Sequence, residues 1–343
     1  MKAKEYIFDA SYQPQVRAKR GTTNIMLDVI IALMPALIVG IWQFGVCVIL
    51  YTVLSVASAV FFEWLYRKLM HKNNTIGDLS AALTGLFTVM VLPSSSPWWI
   101  LLIANLFAIV VVKQLYGGLG KNFLNPALAG RAFVFFSYTL ALSNWGVPAG
   151  LKASVDAVTM STPLSLMKAG QALPDYLNYK NMLIGIMPGC IGEVSTIALL
   201  VGGIYLLCRK VITWHVPVSF IGSVALLTLI FGHEGYTNVD WMLCNLLTGG
   251  LFLGAIFMAT DYATCPVTTK GRLIYGVGCG ALTVLIRYFG GFPEGVSFAI
   301  LIMNACAWAL DKTPRRQFGE TKEDIATAKA AEKAAKKSLK EGA

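Results

Sequence analysis

The segment Asp156-Ala157-Val158-Thr159-Met160-Ser161-Thr162-Pro163-Leu164 sets three hydroxyl groups and one carboxylate close together. A threonine hydroxyl there can accept a phosphoryl group, and a nearby acid can help a transferase recognise the segment. Residue types alone favour an ordinary polar turn. The chain offers few other reactive sets. Its seven cysteines, Cys47, Cys190, Cys208, Cys244, Cys265, Cys279 and Cys306, form no CxxC pair and stand in or beside apolar runs, as small apolar residues do. The histidines, His71, His215 and His233, do not supply a pair placed for haem. No catalytic acid–base set and no metal-ligand set is expected.

Three charged residues stand in apolar surroundings: Glu63, Glu193 and Arg287. An ionisable group at the centre of a bilayer costs at least about 2.5–3.5 kcal/mol unless it is paired or hydrated. Such residues either reach water from a helix end or line an ion or cofactor cavity. Gly117 to Arg131 reads GGLGKNFLNPALAGR. It lacks the GK[ST] ending and the preceding strand of a nucleotide-binding loop. Close helix approach and irregular backbone beside a cavity suit it better, with Asn122 and Asn125 available to donate to a ligand.

The elements that must position these groups are apolar. Of 343 residues, 56% are hydrophobic and 13% charged, against roughly 45–50% and 25% in soluble domains. A soluble fold of this size cannot hide that surface, whereas a bilayer can. Apolar runs from Ile25 to Leu310 predict an all-α integral membrane protein of about ten spans. They fall near 25–44, 46–66, 78–92, 98–112, 125–142, 183–207, 212–231, 242–259, 273–289 and 295–310. The third and fourth are short and flank Leu92-Pro93-Ser94-Ser95-Ser96-Pro97, which suits a broken or re-entrant helix. The first 24 residues are polar and basic, so no cleavable leader is expected.

Ten spans put both ends on one side. With both ends inside, 23 of the 28 Lys and Arg fall in cytoplasmic segments, the bias that sets topology. Residues 1–24 are then a cytoplasmic segment, and 311–343 a basic cytoplasmic tail drawn to anionic lipid. Residues 143–182 become a loop outside. The net charge of +10 is spread over short connecting segments rather than one patch, so nucleic acid is not an expected partner.

Leu83-Thr84-Gly85 and Leu247-Thr248-Gly249 lie five spans apart, as do Tyr116-Gly117-Gly118 and Phe289-Gly290-Gly291. An odd offset inverts one half relative to the other. Two inverted five-helix repeats, 25–142 and 183–310, are therefore expected, with a site near their interface.

The pattern Asp156, Thr159, Thr162 resembles the flavinylation motif of the D subunit of the Rnf electron-transport complex, and is similar to that of the B subunit of the sodium-translocating NADH:quinone reductase. LTGLF at Leu83 to Phe87, KQLYGGLGKNFLNPA at Lys113 to Ala127, GEVS at Gly192 to Ser195 and FMATDYATCPVTTKG at Phe257 to Gly271 resemble the same family over nearly the whole chain. The length favours the Rnf protein.

The resemblance implies FMN esterified through its phosphate to Thr162, with Asp156 and Thr159 as recognition positions for a flavin transferase. It implies a noncovalent riboflavin among the helices, its residues unassigned, and other Rnf subunits as partners. The implied setting is a bacterial cytoplasmic (inner) membrane. The implied activity is electron transfer between ferredoxin and NAD coupled to export of Na+ or H+. The family usually has Gly-Ala before the threonine, where this chain has Met160-Ser161. A bulkier Met160 would slow the transferase and make Thr159 a second possible acceptor. The readings from other classes are a urea-transporter-like channel and a non-redox scaffold subunit.

Overall fold

In lipid every backbone N–H and C=O must be satisfied within the protein, so long apolar runs become helices. A computed structural model describes residues 21–149, 159–171, 173–174, 176–193, 195–232, 235–291, 294–311 and 327. Asp156 and nearly all of the two terminal segments lie outside the described residues.

Helices α1 (Thr22–Phe44), α2 (Cys47–Leu69) and, later in the chain, the helix Thr269–Phe289 are long and apolar enough to cross a bilayer. The remaining predicted spans coincide with shorter helices. These are α3 (Ser80–Met90), α4 (Trp98–Leu106, running on as π-helix over Phe107–Gln114) and α5 (Pro126–Ser137, followed by a turn of helix α6, Thr139–Leu142). In the second half they are α9 (Thr196–Cys208), α10 (His215–Phe231) and α14 (Val296–Leu310). Helices α11 (Asn238–Leu247) and α12 (Leu251–Leu253, continuing as π-helix over Gly254–Met258) form one broken element bent by 59°. Helix α13 is Thr269–Phe289. Helix length thus establishes three spans, or four with the bent pair, among the described residues.

Two expectations change. The sixth apolar run does not become one helix: α8 ends at Ile184 and α9 starts only at Thr196. Gly185, Pro188 and Gly189 interrupt it, and Cys190 forms a single antiparallel bridge with Pro93 before a turn over residues 191–193. Ile191 N–H donates to the Leu92 carbonyl at 3.2 Å and Gly192 N–H to that of Met90 at 2.8 Å. The two LTG signatures also differ locally. Gly85 is inside α3, where a Cβ would meet the Ser55 carbonyl at 2.8 Å, whereas Gly249 sits at the break after α11 with φ +71.

Between the halves, β1 (Trp145–Gly146) pairs antiparallel with β2 (Thr159–Met160). Two short helices follow, α7 (Pro163–Lys168) and α8 (Tyr179–Ile184). This segment has a small core of its own, Met167, Leu177, Met182 and Met187, packed on Trp241 and Cys244. Lys168 Nζ donates to the Gly290 carbonyl, Tyr236 Oη to that of Gln171, and Tyr179 Oη to Asp240. Burial holds the Lys168 ammonium below its ordinary range; burial, then the Asp240 contact, pushes the Tyr179 phenol up.

Candidate functional site

Thr162 ends the hairpin and caps α7. Its Oγ1 accepts the Ser165 N–H at 3.3 Å, and the Ser165 hydroxyl donates to the Thr162 carbonyl at 2.7 Å. Pro163 takes the first helical position, where no N–H is needed. Thr162 is 4% exposed and stands between two cavities. One, of about 880 Å³, is lined by Phe135, Ser143, Asn144, Trp145, Met160, Ser161 and Glu294. The other, about 290 Å³, reaches Glu193, Thr248, Gly249 and Glu294. The larger one joins aromatic walls to hydroxyl and amide groups, so its residues fit a phosphate-linked ring system on the Thr162 oxygen. Thr159 pairs with Gly146 through its backbone; Asp156 is outside the described residues.

Beneath Thr162 lies a buried charged cluster. The pairing of residues 90–93 with 190–192 brings Cys190 and Glu193 against α5, which carries Arg131. Arg131 Nη2 is 2.6 Å from Glu294 Oε2 and 3.5 Å from Cys190 Sγ; Nη1 is 3.6 Å from Glu193 Oε1 and 2.5 Å from the Ser297 hydroxyl. Cys190, Glu193 and Glu294 offer ligand atoms within 4.8 Å of one another, and Arg131 is the cation among them. Arg287 caps the broken helix, donating to the Asn245 carbonyl at 2.6 Å, to that of Thr248 at 3.3 Å and to that of Gly249 at 3.4 Å. Half-helix carbonyls with no intrahelical partner are satisfied there by a side chain.

A second polar cavity, about 770 Å³, lies at the amino end of α1. Ile25, Met26, Val29, Leu83 and Phe257 give it apolar walls; Thr84, Lys113, Asn122, Asn125 and Asp261 give it polar groups. Lys113, counted by charge as a cytoplasmic residue, is buried instead. Its Nζ is 2.7 Å from Glu63 Oε2 and 2.6 Å from the Ser80 hydroxyl, while the Thr75 hydroxyl donates to Glu63 Oε1 at 2.6 Å. Asn125 is already employed: its Oδ1 caps α5 through the N–H groups of Ala127 and Leu128, and its Nδ2 donates to the Met258 carbonyl at 3.3 Å. Asn122 Nδ2 donates to the Leu124 carbonyl at 3.0 Å. One N–H of each amide thus holds the wall of the cavity that both residues line. Burial raises the Asp261 carboxyl above its ordinary range.

The profile of the NQR2, RnfD, RnfE family matches residues 9–319. The chain belongs to this family. It is 42% identical over 316 residues, 91% of this chain and 95% of the relative, to the D subunit of the Na(+)-translocating ferredoxin:NAD(+) oxidoreductase complex of Acetobacterium woodii. It is 42% identical over 318 residues, 90% and 95% of the two chains, to the D subunit of the proton-translocating ferredoxin:NAD(+) oxidoreductase complex of Clostridium ljungdahlii. It is 33% identical over 356 residues, 92% and 99%, to the D subunit of the ion-translocating oxidoreductase complex of Escherichia fergusonii. The matched span of the family takes in both cavities and the charged cluster between their elements.

Of the residues singled out by sequence, Thr162 and Glu193 share a cavity, Arg287 reaches its rim at Gly249, and Glu63 belongs to the other end. Cys190, Arg131 and Glu294 were not singled out for chemistry. One signal pointed to them: a glutamate in an apolar run requires an opposite charge, and Arg131 was the arginine within a neighbouring run.

Proposed function

We propose that the chain is the D subunit of an Rnf-type, redox-driven ion pump, a ferredoxin:NAD oxidoreductase coupled to Na+ or H+ translocation, with FMN esterified to Thr162. Its setting is the bacterial cytoplasmic membrane, with ten spans in two inverted repeats, both termini in the cytoplasm and residues 143–182 outside. Its partners are the other Rnf subunits, a flavin transferase and lipid. The observation that carries this reading is the Thr162 hydroxyl, set at the junction of two cavities in a chain of this family. Two equally similar relatives are named for different ions, so the coupling ion is left as Na+ or H+.

A flavin bound there supplies the electron chemistry; the protein supplies position and charge. Thr162 is a tether, not an acid or a base. Trp145 and Phe135 offer a ring system an apolar wall, and Asn144 and Ser143 offer hydrogen bonds at its edge. The cavity at the amino end of α1 suits the noncovalent riboflavin, whose ring would lie against Phe257 and Val29 with Lys113 and Asp261 as polar partners. The 4% exposure of Thr162 implies that the hairpin opens to admit the transferase.

The test is denaturing electrophoresis under ultraviolet light after expression with the flavin transferase. A fluorescent wild-type band that vanishes in Thr162→Ala is expected. A dark wild type, or a fluorescent Thr162→Ala band, refutes the site.

A further inference from the structure

Three cavities meet at one side chain. Glu294 borders the cavity of about 880 Å³ beside Thr162 and Trp145, and the one of about 290 Å³ that joins Thr162 to Glu193. It also borders a third, about 260 Å³, beside Arg131 and Phe298. Its Oε2 lies 2.6 Å from Arg131 Nη2, a charge-assisted pair. Glu193, 3.6 Å from the same guanidinium, borders the smaller of the two spaces at Thr162 but not the larger.

We propose that Glu294 is a positioning residue that sets the reduction potential of the group carried on Thr162. The proposal rests on Thr162 bearing a flavin. A fixed negative charge facing that space opposes the arrival of an electron, and a poorly hydrated surrounding strengthens the effect. Removing the charge makes the bound group easier to reduce. Arg131 works in the opposite sense: its guanidinium, shared with Glu193, offsets part of the field of Glu294. The carboxylate that borders both spaces therefore outweighs the one that borders a single space.

The experiment is a spectroelectrochemical titration of the full chain, purified with its covalent flavin after expression with the flavin transferase. Glu294→Gln removes the charge at nearly constant shape, and its midpoint is expected to move to a more positive potential. Glu294→Asp keeps the charge but withdraws it by one methylene, and should move the midpoint the same way by less. Glu193→Gln should shift it less than Glu294→Gln. A fluorescent Glu294→Gln chain with an unchanged midpoint overturns the assignment. If that variant does not fold, an unchanged or more negative midpoint in Glu294→Asp does the same. A larger shift in Glu193→Gln overturns it as well. A wild-type chain without covalent fluorescence removes the Thr162 reading itself, before any potential is measured, so the two failures are distinct.

Discussion

A Cβ on Gly250 would lie 2.5 Å from Oε1 of Glu193, so the carboxylate fills the space that a side chain there would need. Gly249 stands in the same relation to Arg287, whose Nη2 would be 2.7 Å from its Cβ. The two glycines, Gly249 and Gly250, have φ of +71 and +66, the left-handed region. Arg287 meets the carbonyl end of α11 and Glu193 the amino end of α12, the signs that suit the two dipole ends of a broken helix. Gly250→Ala is expected to cost about 1–2 kcal/mol from backbone conformation alone, with displacement of Glu193 added. Thermal unfolding in detergent checks this, against Gly222→Ala, whose Cβ meets nothing within 4 Å and which should not be destabilised.

The buried Glu63–Lys113 pair is expected to show strong coupling. Breaking such a pair costs about 3–5 kcal/mol, because one charge is left buried without a partner. Glu63→Gln should lower stability by that order, and Lys113→Met by less, because Arg67 Nε, 3.9 Å from Glu63 Oε1, still faces the carboxylate. The double variant, which keeps the hydrogen bond from Thr75, should recover most of the loss. Additive losses in a denaturation double-mutant cycle would contradict the pairing.

Met160 pairs with Trp145 across the hairpin and lines the cavity on the open side of Thr162. Met160→Gly removes that bulk and loosens the strand, so flavin attachment is expected to speed up. A time course of in-gel fluorescence after addition of transferase reads the rate; a slower course would show that the hairpin, not access, limits attachment.

Val29→Trp narrows the cavity at the amino end of α1 without touching Thr162. Acid-extractable riboflavin should fall severalfold while the covalent fluorescent band persists. Loss of both signals would indicate misfolding, and retention of both would place the riboflavin elsewhere.

The long helices α1, α2 and α13 are legible in the sequence because their apolar runs are long enough to carry a lone Pro35, Glu63 or Arg287 without a break. Residues 185–193 mislead for a physical reason: hydropathy reports burial, and Gly185, Pro188 and Gly189 let a buried segment run through bends and turns instead of a helix. Thr162 is legible through its motif. Its surroundings are not, since Arg131 and Glu294 are 163 positions apart and no period links them. The burial of Lys113 is not legible either, because its partner Glu63 stands 50 residues earlier.

Helix α1 touches both polar regions. Ile25, Met26 and Val29 line one cavity, and at its other end the Gln43 carbonyl accepts the Ala149 N–H at 2.6 Å, anchoring the hairpin segment. Its 23 residues, at about 1.5 Å each, span roughly 35 Å. On the proposed reading, with a flavin in each region, this rod is a ruler. Tunnelling falls off exponentially with distance, so the length of α1 would then set how far apart the two carriers stand. Adding or deleting one turn of α1 would move Gln43, and with it the anchor of the hairpin segment, relative to the cavity at the helix's amino end.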